Sequence, residues 1–127
     1  MSTKAAFDGR RILVVEDEMM IAMLVEDMLS DLGCRVVGPA YNFESALEMA
    51  RTVEGVDAAI LDVNLAGQPV FDVADALRER GVPAIFSTGY GEAGLREVDR
   101  KSPVLQKPFR TVELIDALTF VLTPAEA

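Results

Sequence analysis

The sequence predicts a doubly wound α/β fold with five parallel strands and five helices, and three observations predict it. Short apolar runs recur along the chain and end abruptly in polar residues: Ile12-Leu13-Val14-Val15 before Glu16-Asp17, Ala58-Ala59-Ile60-Leu61 before Asp62, and Val82-Pro83-Ala84-Ile85-Phe86 before Ser87-Thr88. Between these runs the apolar period changes to that of a helix, and glycines (Gly33, Gly55, Gly81) stand at the stops. Strand and helix therefore alternate, and alternation of this kind implies a parallel sheet covered on both faces.

Taken in order, the first strand begins at Arg11 and ends at the acids Glu16-Asp17-Glu18. A helix from Met19 presents Ile21, Leu24, Val25, Met28, Leu29 and Leu32 as its apolar face, with Met19, Met20 and Met23 beside that stripe. These methionines suit either the edge of the core or a flexible surface for a partner, because thioethers adapt to irregular contacts. Cys34 to Val37 forms a short strand closed by Gly38-Pro39, and Asn42 caps a helix that turns Phe43, Ala46, Leu47, Ala50 and Val53 inward. The central strand, Ala58 to Leu61, is too short and too uniformly apolar for an amphipathic helix, so it is buried on both faces with Asp62 at its carboxyl end. The turn Gly67-Gln68-Pro69 opens a third helix through Val70, Val73, Leu77 and Arg80. After the fourth strand, Gly89, Gly91 and Gly94 stand where a fourth helix is due; each costs about 1 kcal/mol relative to alanine, so that helix is expected to be short and frayed. Val104-Leu105-Gln106 is the fifth strand, and a last helix from Thr111 buries Val112, Ile115, Leu118 and Val121 before Pro124.

At 127 residues the chain is expected to be one domain, 1–127, with an ordered core of about 10–123. No apolar run approaches the roughly 20 residues that span a bilayer, and Met1 to Arg10 lacks the apolar core of a signal peptide, so a cytoplasmic location without membrane attachment is expected. The formal charge of −9 repels phosphate backbones, which argues against direct nucleic-acid binding. Histidine is absent, so chemistry here falls to carboxylates, hydroxyls and lysine. The one cysteine, Cys34, lies in an apolar run and suits a buried structural thiol.

In open α/β sheets the crevice lies at the carboxyl ends of the strands. There this sequence places Glu16 and Asp17, Asp62, Thr88 and Lys107. Two carboxylates about 4 Å apart repel by roughly 4 kcal/mol at an effective dielectric near 20. Lys107 offsets part of this, and a hard divalent cation would offset the rest, with Mg²⁺ favoured because it takes a few oxygen ligands, keeps waters and suits phosphates. Ca²⁺ is disfavoured, since no loop carries acids at alternating positions. A carboxylate can attack phosphorus while a metal, a lysine and a hydroxyl stabilise the equatorial oxygens, and Asp62, Asp17, Lys107 and Thr88 can fill those roles.

In Ile12-Leu13-Val14-Val15-Glu16-Asp17-Glu18, Ile60-Leu61-Asp62-Val63-Asn64-Leu65, Ser87-Thr88-Gly89 and Leu105-Gln106-Lys107-Pro108-Phe109, the chain resembles the receiver domain of two-component response regulators over nearly its whole length. The resemblance implies a flavodoxin-like sheet of order 2-1-3-4-5 and a phosphoryl group accepted on Asp62 from a histidine kinase or phosphotransfer protein. It implies Mg²⁺, with Mn²⁺ as an alternative, bound by Asp17, Asp62 and the main-chain carbonyl of Asn64, with Glu16 acting through water. It also implies catalytic roles for Thr88 and Lys107, slow self-dephosphorylation rather than ordinary enzyme turnover, and a cis peptide between Lys107 and Pro108.

Two departures narrow the resemblance. The position three before Lys107, usually an aromatic switch, is Val104, and Phe86-Ser87-Thr88-Gly89-Tyr90 resembles the FATGY motif of a single-domain receiver group. Tyr90, or ordering of the glycine-rich segment through Thr88, is expected to replace the usual switch. With no output domain expected after the last helix, the signal leaves by protein contact, as a shuttle, a sink or a target-binding regulator. The rival is a receiver-like scaffold that is never phosphorylated. A haloacid-dehalogenase-type phosphatase needs a second aspartate where Asn64 stands, and both a Rossmann domain and a flavin binder need a phosphate-binding loop where Glu16-Asp17-Glu18 stands.

Overall fold

The computed structural model describes residues 7–89 and 94–122. In chain order the elements are β1 (Arg11–Val15), α1 (Met19–Asp31), β2 (Arg35–Ala40), α2 (Phe43–Thr52), β3 (Ala58–Asp62), β4 (Asn64–Leu65), β5 (Gln68–Pro69), α3 (Phe71–Glu79), β6 (Ala84–Thr88), β7 (Val104–Gln106) and α4 (Thr111–Leu122). Five strands form one parallel sheet in the order β2-β1-β3-β6-β7, which is 2-1-3-4-5 when the sheet strands are counted along the chain.

The two-residue period of the strands divides the core in two. Leu13, Val15, Leu61 and Phe86 face α2 and α3, where they meet Ala46, Ala50, Val73, Ala74 and Leu77. Ile12, Val14, Ile60 and Ile85 face α1 and α4, where they meet Val25, Leu29, Leu114, Ala117 and Leu118. Each fully buried aliphatic or aromatic side chain contributes about 1.5–3 kcal/mol relative to exposure, so alternate strand residues fasten both helical layers. The carboxyl ends of β1, β3 and β6 are thereby held side by side, with Asp62 level with Ser87 in the β3–β6 register.

Several expectations are corrected. Among the described residues there are four α-helices of nine residues or more, not five. Where the fourth of the expected helices was due, the described residues hold the 3₁₀ turn Glu97–Asp99 and no α-helix, and residues 90–93 lie outside those described. Strand β2 runs through Gly38-Pro39 to Ala40 rather than closing at Val37; the Gly38-Pro39 peptide is cis, and Gly38 has a φ of 93°. Leu24 is 59% exposed and Val112 50% exposed, so neither lies on the buried face assigned to it; Ala22 and Leu114 take those places. In α1 the buried face runs through a small residue, Ala22, that a count of large apolar ones overlooks, and in α4 it runs through Leu114. Cys34 is buried, and burial raises its thiol pKa to about 11, ahead of the smaller effects of Arg10 and Asp57.

Candidate functional site

β1 and β3 end together, and their strand-end acids converge. Carboxylate oxygens of Glu16, Asp17 and Asp62 all lie within 4.8 Å of one another. Glu16 and Asp62 are buried, at 4% and 6% exposure. Lys107, leaving β7, reaches between them, with its Nζ 2.9 Å from Glu16 Oε1 and 3.3 Å from Asp62 Oδ2. The Lys107 amide donates to the carbonyl of Thr88 at 2.9 Å, which fixes the two loops to each other, and the Lys107-Pro108 peptide is cis. Thr88 is itself buried at the end of β6.

The charge in this group does not balance. Three carboxylates face one lysine among the described residues. The pKa of Asp62 is pushed up to about 7, first by burial, then by the charge of Glu16 and by hydrogen bonding with Asp17 and Glu16, while Lys107 pulls the other way. Burial also works against the charge of Lys107, but Glu16 and Asp62 outweigh it and leave the ammonium above its ordinary value. The carboxylate oxygens are partly committed. Glu16 Oε2 accepts the Glu18 amide at 3.2 Å, Asp62 Oδ1 accepts the Asn64 amide at 3.2 Å, and Asp17 Oδ2 accepts the Ala66 amide at 2.9 Å. What remains is an oxygen-lined, negatively charged opening, and this donor set fits a hard divalent cation.

The residue that holds Asp17 was not legible in the sequence. β4 and β5 pair as a small antiparallel hairpin whose loop is Ala66-Gly67, with φ of 51° and 92°. Two consecutive positive φ values make the tight turn that suits a two-residue hairpin, and Gly67 donates to Asn64 Oδ1 at 2.7 Å. The Ala66 amide is thereby aimed at Asp17. Gly67-Gln68-Pro69 signals a turn, but nothing in it signals the strand pair. Together with Asp17, Asp62, Thr88 and Lys107, this hairpin and Gly94 wall a hollow of about 630 Å³.

The remaining candidates lie elsewhere. Met19, Met20 and Met23 are 61%, 79% and 55% exposed, which removes the core-edge alternative and joins them to Leu24 on the open face of α1. Val104 is half-buried in β7, paired with Phe86. Tyr90 lies outside the described residues. Among the described residues no helix is long and apolar enough to cross a membrane.

With this geometry in place the family can be stated: the chain belongs to the response regulator receiver domains, whose family model matches residues 12–119. It is similar to the transcriptional regulatory protein PdtaR of Mycobacterium tuberculosis, with 30% identity over 118 residues, 90% of this chain and 57% of that one. It is also similar to the phyllosphere-induced regulator PhyR of Methylorubrum extorquens, at 36% identity, covering 84% of this chain and 41% of PhyR. The chain thus spans about half the length of the curated relatives it matches. Among solved structures, SdrG from Sphingomonas melonis Fr1 superposes with a TM-score of 0.80 at 40% identity, covering 97% of this chain and 100% of SdrG.

Proposed function

We propose that this receiver domain accepts a phosphoryl group on Asp62 and passes the signal on by protein contact. The observation that carries the reading is the charge surplus at the strand ends, where a buried carboxylate with raised pKa stands beside two further acids and one lysine. A purely structural core has no use for such a group, because clustered buried acids cost stability.

In the proposed reaction Asp62 Oδ attacks the phosphorus of a phosphohistidine, the P–N bond breaks, and the imidazole nitrogen leaves with the electron pair. Lys107 neutralises charge that builds on the phosphoryl oxygens, and the Thr88 hydroxyl donates to one of them. Mg²⁺, held by Asp17, Asp62 and the carbonyl of Asn64 with Glu16 acting through water, would supply the charge that keeps Asp62 ionised and shields the incoming oxygens. The engaged oxygens of Glu16, on Lys107 and the Glu18 amide, support that outer role.

The donor would be a sensor histidine kinase or histidine phosphotransfer protein in the cytoplasm. Its docking surface would be Met19, Met20 and Met23 with Leu24, beside an apolar hollow that runs from Ile21 and Met28 to Lys107 and Phe109. The motif Phe86 to Tyr90, together with Val104 in the usual aromatic position, supports assignment to the FATGY-type subgroup, with Tyr90, or ordering of the glycine-rich segment through Thr88, as the proposed switch. The test is intact mass after incubation with Mg²⁺ and acetyl phosphate. Wild type should gain one phosphoryl mass and Asp62→Asn none; no gain from acetyl phosphate or from a phosphohistidine donor would leave an unphosphorylated scaffold as the better reading.

A further inference from the structure

Among the described residues, one dense group of ion pairs outside the acidic site joins α3 to the 3₁₀ turn Glu97–Asp99. Asp99 is completely buried, and its carboxylate accepts from Arg96 Nε at 2.6 Å and Arg78 Nη2 at 2.7 Å. Arg96 also grips Asp75 with both terminal nitrogens, at 3.1 and 2.8 Å, while its guanidinium lies 4.6 Å above the Phe71 ring. Arg78 closes the group on Asp75 at 3.1 Å. Arg96 thus spends its planar fork on two carboxylates and its face on an aromatic ring, a set of contacts lysine cannot reproduce.

The chain on either side of this clasp leads to the acidic site. Phe71 and Asp75 belong to α3, which follows directly from Asp62 by way of the β4–β5 hairpin, and the Val70 amide is tied back to the Val63 carbonyl at 2.9 Å. Leu95, next to Arg96, is buried with Val73, Ala74 and Leu77 of α3. Gly94, one residue further back, lines the acidic hollow, where an added Cβ would meet Val63 Cγ1 at 3.9 Å. The clasp therefore links the arm leaving Asp62 to the segment that returns from β6.

Resting on the phosphoryl-acceptor reading, we propose that Arg96 is a positioning residue: through Asp75, Asp99 and Phe71 it holds Gly94 in place in the wall of the acidic hollow, which Val63 also lines, and so sets how readily water reaches a phosphoryl group on Asp62. In the step it governs, a water oxygen bonds to phosphorus, the bond from phosphorus to the Asp62 oxygen breaks with its electrons going to the carboxylate, and the water's proton passes to the released phosphate. A wall fixed by an ion-pair clasp excludes water; a loose one admits it.

The test compares full-length wild type, Arg96→Ala, Arg96→Lys and Asp75→Asn, each loaded with Mg²⁺ and acetyl phosphate, freed of donor and followed by intact mass. Far-UV circular dichroism and urea unfolding of the same samples accompany each rate, and rates are compared only among variants as fully folded as wild type, so that a change in phosphoryl loss is separated from simple destabilisation. Loss should be roughly three- to tenfold faster in Arg96→Ala, in line with the cost of small misplacements near reacting atoms, and intermediate in Arg96→Lys and Asp75→Asn. Should Arg96→Ala fail to fold, the two milder variants carry the same comparison. Rates within twofold of wild type in every folded variant would overturn the positioning role and leave the acceptor reading standing. A wild type that never gains the phosphoryl mass would overturn both.

Discussion

Two charged groups in this molecule use similar side chains to opposite ends. At the strand ends, Glu16, Asp17 and Asp62 face Lys107, so negative charge is in surplus. On the flank of α3, Asp75 and Asp99 face Arg78 and Arg96, and the charges match one for one. The first group has its pairing incomplete and an acid pushed toward neutral pKa; the second leaves Asp99 fully buried and fully satisfied, with Asp75 held below its usual range chiefly by hydrogen bonding to Arg96. A matched group is a fastening, while a mismatched, buried one suits a cation, so the balance of charge rather than its density separates a site from a brace.

The largest expected effect would break the brace. Asp99→Asn leaves two guanidinium groups facing a neutral amide, and because Arg78 and Arg96 are 41% and 34% exposed and can partly rehydrate, the loss should be about 2–3 kcal/mol rather than the 3–5 typical of fully buried pairs. Urea unfolding measures it.

The same change at the strand ends should have the opposite sign. A carboxyl whose pKa is raised when folded holds its proton more tightly than the unfolded chain does, so the metal-free protein should lose stability as pH rises from about 4 through 7. Asp62→Asn should therefore be more stable than wild type at pH 8, by about 1–2 kcal/mol, and nearly equal to it at pH 4. Added Mg²⁺ should narrow the gap at pH 8 by stabilising wild type more than the variant. A smaller effect sharpens the contrast within the brace: Asp75, 44% exposed, should cost only about 0.5–1 kcal/mol when replaced by asparagine. Smallest is Ser87→Ala. Ser87 Oγ, level with Asp62 in the sheet, is buried without a hydrogen-bond partner among the described residues, so its removal should be neutral or stabilising by about 0.5–1 kcal/mol in a thermal melt.

The two groups also differ in how far the sequence reveals them. Each residue of the strand-end group stands at or just past the end of a strand run, so Glu16, Asp17, Asp62, Thr88 and Lys107 were legible once the strands were; alternation gave a parallel sheet, while its order came from the family resemblance. The brace was not legible. Asp75 and Arg78 sit one helical turn apart and look like an ordinary surface pair, and nothing in the sequence ties them to Arg96 and Asp99 across some twenty residues. The same blindness to tertiary contact explains the hidden hairpin that aims Ala66 at Asp17 and the exposed Leu24 and Val112. Spacing reports local periodicity; it does not report which partner a side chain meets.

The most direct measurement is a Mg²⁺ titration of the assigned backbone amide spectrum of the full chain. If charge surplus marks the site, amides of Asp17, Asp62, Asn64, Ala66 and Lys107 should shift along one saturable curve, while those of Asp75, Arg78, Arg96 and Asp99 move little and Asp62→Asn weakens the response. Saturable shifts centred on the braced group, or none at the strand ends at millimolar Mg²⁺, would contradict it.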